Sequence, residues 1–471
     1  MALPSCIQLP TELIYNIIDE AWEVSPERAH DTIYLPSSLA YVSHDFRRGV
    51  NVHRFSTITL GKDSTGADIN SFLELIQADV WTSNATVVPH IRRVELLLAV
   101  TTGSLVKLLH PSVANGSLTR VLELIFRGRH SVSRPKDMFT LALHGHPKLD
   151  DNTSTPYPYN GGLVWTMLTT EFISYLQMLV ASRIGNLELW SFRSVPISFL
   201  KESMVRMLKL YGVSFEPDRR FGTENGVLRD KVEILDFQHF DPDFILSHES
   251  WLWTLASVRI LSIDQHCAEC IKSFWPHMES LKTLIMHIPD DHQTNFEIPY
   301  MSLSGLRRLV LNVVLSNSKR NWFDSKFLDI LGKNIPAIPE LELVLKSDLA
   351  IMGRFQNSSR VGNTVENVNC DQIDAFLEHY CTITAPNSTL TIRFLINVSE
   401  VARTEFDIHK FRRGGMGMLR NAFPLLNSRT SRRGVFDVEF RLQHKERKHK
   451  GAIPHEAIFS AIYNPVDGTV I

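Results

Sequence analysis

An apolar triplet at relative positions 0, 3 and 5 returns along most of this chain. It stands at Ile91/Val94/Leu96, Ile184/Leu187/Leu189, Val205/Leu208/Leu210 and Val232/Leu235/Phe237. It continues at Val258/Leu261/Ile263, Leu281/Leu284/Met286, Leu306/Leu309/Leu311 and Ile338/Leu341/Leu343. Weaker echoes fall at Thr119/Leu122/Leu124, Leu390/Ile392 and Val438/Phe440. From Ile184 to Leu306 the successive spacings are 21, 27, 26, 23 and 25 residues. The two-residue step inside each triplet is the period of a strand that buries one face. A single short strand with its return segment cannot cover its own apolar row. Stability must then come from stacking one unit on the next, each buried Leu or Ile contributing roughly 1.5–3 kcal/mol.

The spacings resemble leucine-rich-repeat periods, in which a short strand is followed by a turn and a helix. The expected fold class is therefore α/β, a leucine-rich-repeat-like solenoid over residues 61–471 with degenerate repeats. Three residues beyond the triplet, where that pattern places Asn or Cys, this chain has Phe192, Pro289 and Val314. Helices are expected between strands at 197–205, 267–278 and 325–332. Residues 136–162, with Asp150, Asp151, Pro156 and the run Asn160-Gly161-Gly162, read as a polar insertion loop that interrupts the period. Beyond about residue 345 the repeats loosen.

The first sixty residues follow another rule. Pro10 suits a first helical turn, Glu12 favours the positive end of the helix dipole, and Leu13, Ile14, Ile17, Ile18 and Ala21 recur at helical spacing. After a polar connector, Leu35-Pro36 opens a second helix with Leu39, Val42 and Phe46. The segment 52–55 then leads into the alternating Ile58-Thr59-Leu60. So small a module is marginal in isolation and calls for a neighbour or a partner.

Leu9-Pro10-x-Glu12-Leu13, Ile17-Ile18 and Leu39-x-x-Val42-Ser43-x-x-Phe46-Arg47 together resemble the F-box. The exit, His53-Arg54-Phe55-Ser56-Thr57, is similar to that of F-box proteins common in mushroom-forming fungi. The resemblance covers residues 1–60 and implies a three-helix module docking on a Skp-type adaptor, itself carried by a cullin scaffold. Position by position, it assigns the adaptor interface to Leu9, Pro10, Leu13, Ile17, Ile18, Leu39, Val42 and Phe46. The connector before Leu35 is longer than usual in the family, and Phe46 stands where tryptophan is usual.

A net charge of −2 over 471 residues gives no global attraction to nucleic acid or to an anionic membrane. No apolar run approaches the roughly 20 residues that span a bilayer, and Cys6, Cys267, Cys270, Cys370 and Cys381 make no disulfide framework. A cytoplasmic or nuclear protein is expected, with no membrane or nucleic-acid partner. Cys267 and Cys270 lack the second ligand pair that structural zinc needs, so they read as core cysteines. His144 and His146 fall in the expected loop and read as polar loop residues. Arg429, Arg432 and Arg433, then Lys445, Arg447, Lys448 and Lys450, read as solvated charge. No nucleophile elbow, metalloprotease helix or phosphate loop is present, so no cofactor and no catalytic centre are expected. The reading is a non-catalytic substrate-recruiting subunit of a ubiquitin ligase, with an unidentified protein substrate on the repeats. The alternative is a leucine-rich-repeat scaffold or receptor-like protein whose N-terminal helices are only a cap.

Overall fold

Strands form where the triplets predict them, because β-branched and leucine side chains at every second position favour a pleated, half-buried surface. The computed structural model describes residues 13–14, 16–18, 42, 44–81, 87–102, 106–127, 139–146, 162–200, 203–216, 232–238, 255–264, 278–288, 305–315, 338–350, 375, 389–399, 436–445 and 457–460. The chain divides into two units. The first comprises Met1–Val232 with His239–Thr254, and the second Glu233–Gln238 with Leu255–Ile471.

In the first unit, helix α1 (His44–Arg54) leads into strand β1 (Thr57–Leu60). Strands β2 (Arg93–Leu97), β3 (Phe139–His144), β4 (Ile184–Trp190) and β5 (Met207–Tyr211) follow in sheet order, each parallel to the last. Parallel neighbours need a crossover connection. These crossovers carry helices α2 (Ala67–Trp81), α3 (Pro111–Ala114), α4 (Ser117–Arg127) and α5 (Thr170–Ser182). Ile58, Val94, Leu141, Leu187 and Leu208 share one register position, and Leu60, Leu96, Leu143, Leu189 and Leu210 share another. Both columns are buried, as are Ile69 and Ile76 of α2, Val121 and Ile125 of α4, and Phe172 and Leu176 of α5.

The second unit repeats the logic. Strands β6 (Ile234–Gln238), β7 (Ile260–Asp264), β8 (Thr283–Ile288), β9 (Arg308–Leu315), β10 (Glu340–Ala350), β11 (Thr389–Ser399) and β12 (Phe436–Lys445) pair in parallel, in sequence order. A last strand, β13 (Ala457–Ser460), adds antiparallel to β12. Leu235, Leu261, Leu284, Leu309, Leu341, Leu390 and Phe436 form one column, and Phe237, Ile263, Met286, Leu311, Leu343, Ile392 and Val438 the next. The fold class is thus α/β with long parallel pairing.

Several expectations change. Residues 139–144, assigned to the insertion loop, form the middle strand of the first unit's sheet. Met138, Leu141 and Leu143 complete a 0-3-5 triplet that polar flanks conceal. Thr119, Leu122 and Leu124 belong to α4, not to a strand. Leu118, Val121, Leu122, Leu124, Ile125 and Phe126 are buried along it, and the fully enclosed Leu118, Val121, Leu122 and Ile125 have helical spacing. Of the helix expected at 197–205, a single 3-10 turn, Ile197–Leu200, is described. Phe46 and the segment 52–54 share helix α1. Val438/Phe440 is offset by two residues, since Phe436 and Val438 align with Leu390 and Ile392. The helices expected at 267–278 and 325–332 lie outside the described residues.

Candidate functional site: an apolar helix face and a polar sheet face

Two surfaces in the first unit carry chemistry. At the N-terminus, Ile14, Ile18, Phe46 and Val50 pack into one buried cluster. Leu13 and Ile17, four residues apart and therefore on one helical face, remain 48 % and 42 % exposed, and Val42 is 64 % exposed. The helical residues are thus apolar on two faces, one turned inward and one left at the surface. Of the eight residues assigned to the adaptor interface, Leu13, Ile17 and Val42 are at the surface. Ile18 and Phe46 are not: both are enclosed against Ile14 and Val50, because the Ile14/Ile18 face is the one that closes over α1. Leu9, Pro10 and Leu39 lie outside the described residues.

The second surface is the sheet face opposite the buried columns. Parity places Thr59, Glu95, Ala142, Glu188 and Lys209 in one row across β1 to β5. Arg93 reaches across β3 to Glu188, donating from Nη1 to Oε1 at 2.8 Å and from Nη2 to Oε2 at 2.7 Å. Its Nε donates to Glu95 Oε1 at 2.8 Å, and Thr59 Oγ1 donates to Glu95 Oε2 at 3.1 Å. Such a two-pronged guanidinium–carboxylate pair is both strong and directional. Burial pushes the Glu188 carboxyl up, but the hydrogen bonds and charge of Arg93, aided by Lys209, outweigh it and hold it below the usual glutamate range. Glu95 behaves alike: burial raises it, and Arg93 brings it down further. The hydrogen bonds that Arg93 donates to Glu188 hold its own proton more tightly still.

Two residues further along the same strands, and so on the same face, stand His144, Trp190 and Tyr211. His144 stacks on Trp190 with centroids 5.5 Å apart, and Trp190 on Tyr211 at 4.8 Å. Lys209 Nζ lies 5.2 Å from the Trp190 centroid, and Trp190 Nε1 donates to Glu188 Oε2 at 3.3 Å. In the second unit the corresponding face carries Ser262 Oγ 3.1 Å from His287 Nε2, Gln238 against Asp236, and Arg308 paired with Glu342.

His144 and His146, expected in a loop, are a strand residue in this stack and a buried residue just past the strand. Cys267 and Cys270 lie outside the described residues. Among the described residues no group of three or more His, Cys, Asp or Glu is arranged to hold a metal ion. No helix among them is long and apolar enough to cross a membrane. Sequence reading missed the aromatic row, although its signal was present: His144, Trp190 and Tyr211 each directly follow the last apolar residue of a triplet. No protein-family model matches this chain, and no curated protein matches it.

Proposed function

We propose that this chain is the substrate-recruiting F-box subunit of a cullin-type ubiquitin ligase, working in the cytoplasm or nucleus. Its N-terminal helices dock on a Skp-type adaptor, and its parallel sheet is a leucine-rich-repeat-like array that holds a target protein. The observation that carries this reading is the divided apolar character of the N-terminal helix. One pair of isoleucines, Ile14 and Ile18, satisfies the local core, while Leu13 and Ile17 stay exposed, as does Val42. A mere cap would have no use for the second face, whereas a partner helix would cover it. In this role the chain performs no bond chemistry. It raises the effective concentration of a target lysine near the conjugating enzyme, so that attack becomes effectively intramolecular.

The test is co-purification with a Skp-type adaptor. Replacing Leu13 and Ile17 together by lysine places charges where a dry contact would form, at a cost of several kcal/mol. Adaptor binding should disappear while the parallel strands of both units keep their hydrogen-exchange protection. Undiminished capture of the adaptor by the double variant would overturn the assignment.

A further inference from the structure

The aromatic row of the first unit has the chemistry of a recognition platform. The rings of His144, Trp190 and Tyr211 stand across three adjacent strands with interplanar angles of 17° and 28°. Stacked this way, they cover one another's faces and present their edges away from the sheet. All three are half-buried, so part of each ring is reachable, although Nε2 of His144 is itself enclosed. Each ring is braced by its neighbours, so little conformational freedom remains to be lost on binding.

The adjoining charges determine what can bind there. Arg93 and Lys209 are set against Glu95 and Glu188, so these four charges cancel, and the Arg93 guanidinium is already committed to both carboxylates. A charged group approaching this surface meets an opposite charge and a like charge together, and it gains only by breaking the pair between Arg93 and Glu188. A neutral group has no such obstacle. Ring edges carry the positive pole of the aromatic quadrupole, and the group they attract is the electron-rich face of another ring, in the T-shaped arrangement.

Resting on the reading of the sheet as a target-binding face, we infer that the His144–Trp190–Tyr211 ladder takes an aromatic side chain from an uncharged, extended segment of the target protein. Trp190 is its centre, with Tyr211 and His144 as flanks and Arg93 as the polar border. The partner this surface fits is a neutral peptide bearing Trp, Tyr or Phe, not an acidic or a basic one.

The experiment is selection of short random peptides by surface display against the purified full-length chain. The expected winners are rich in Trp, Tyr and Phe, carry no net charge, and bind with little dependence on salt. A representative synthetic winner should bind at least tenfold more weakly to Trp190→Ala, about 1.4 kcal/mol or more. Trp190→Phe, which keeps a ring and tests for unfolding, should bind within about threefold of the parent. The Leu13→Lys/Ile17→Lys chain should select and bind the same peptides, which separates this inference from the adaptor assignment. Winners that carry a net charge, binding that survives both Trp190→Ala and Tyr211→Ala, or no binding peptide at all would each overturn it.

Discussion

Glu188 is 3 % exposed, yet it is ionised more readily than a free glutamate because Arg93 meets both of its oxygens. A carboxylate whose folded-state pKa lies below its unfolded value contributes stability that is present above the unfolded value and lost as pH falls. The ordinary value here is 4.5, so stability should be flat near neutrality and decline below about pH 4.5 as Glu188 and Glu95 are protonated. Glu188→Gln keeps the shape but removes the two-pronged one of Arg93's charged partners, leaving Glu95. Urea denaturation at neutral pH should show a loss of roughly 1–3 kcal/mol. The acid limb should also flatten in the variant, and an unchanged acid limb would mean that the pair does not set the pH dependence. Arg93 and Glu188 lie 95 residues apart, so no local pattern announces the pair.

At the level of elements, the ends of β3 and β4 meet so closely that side chains are excluded. A Cβ at Gly145 would stand 2.2 Å from the Ser191 carbonyl oxygen and 3.0 Å from Leu163 Cβ. Gly145 N donates to the Trp190 carbonyl at 2.8 Å, and Leu163 N to the Ser191 carbonyl at 3.0 Å. Gly116 differs: its φ of 76° is left-handed, but a Cβ there meets nothing within 4 Å. Gly145→Ala should therefore destabilise by about 1–3 kcal/mol or more through overpacking of backbone, and Gly116→Ala by about 1 kcal/mol through its dihedral alone. Thermal denaturation should also show Gly145→Ala weakening the ring stack, visible as a changed near-ultraviolet signal from Trp190. Equal effects of the two substitutions would contradict the close approach. The ladder therefore owes its geometry to a glycine outside it, since only a residue without Cβ lets the chain leave β3 beneath Ser191.

For the whole molecule, stability comes from columns that run across strands. Leu261 is buried between Leu235 and Leu284 at one register position. Leu261→Ala should cost about 2–5 kcal/mol through lost burial and the cavity left behind. Because each strand is held mainly by its neighbours, amide exchange should quicken together over 234–238, 260–264 and 283–288. An effect confined to the immediate surroundings of residue 261 would defeat the stacked-column account. Much of this was legible in the chain itself. Residues at positions 3 and 5 must face one side because strand side chains alternate, and a spacing in the twenties must bring the next strand alongside. Composition and charge likewise limited the kinds of partner to consider. What the chain could not disclose were features decided by contact between distant segments. The strand 139–144 was hidden by polar neighbours in the sequence, and only its register with β2 and β4 makes it a central strand. The turning inward of Ile18 and Phe46 depended on which helix face met α1. Alternation alone says that His144, Trp190, Tyr211, Arg93 and Glu188 point away from the core. Which of them touch is decided by the crossovers that bring their strands into register, and those are a property of the fold.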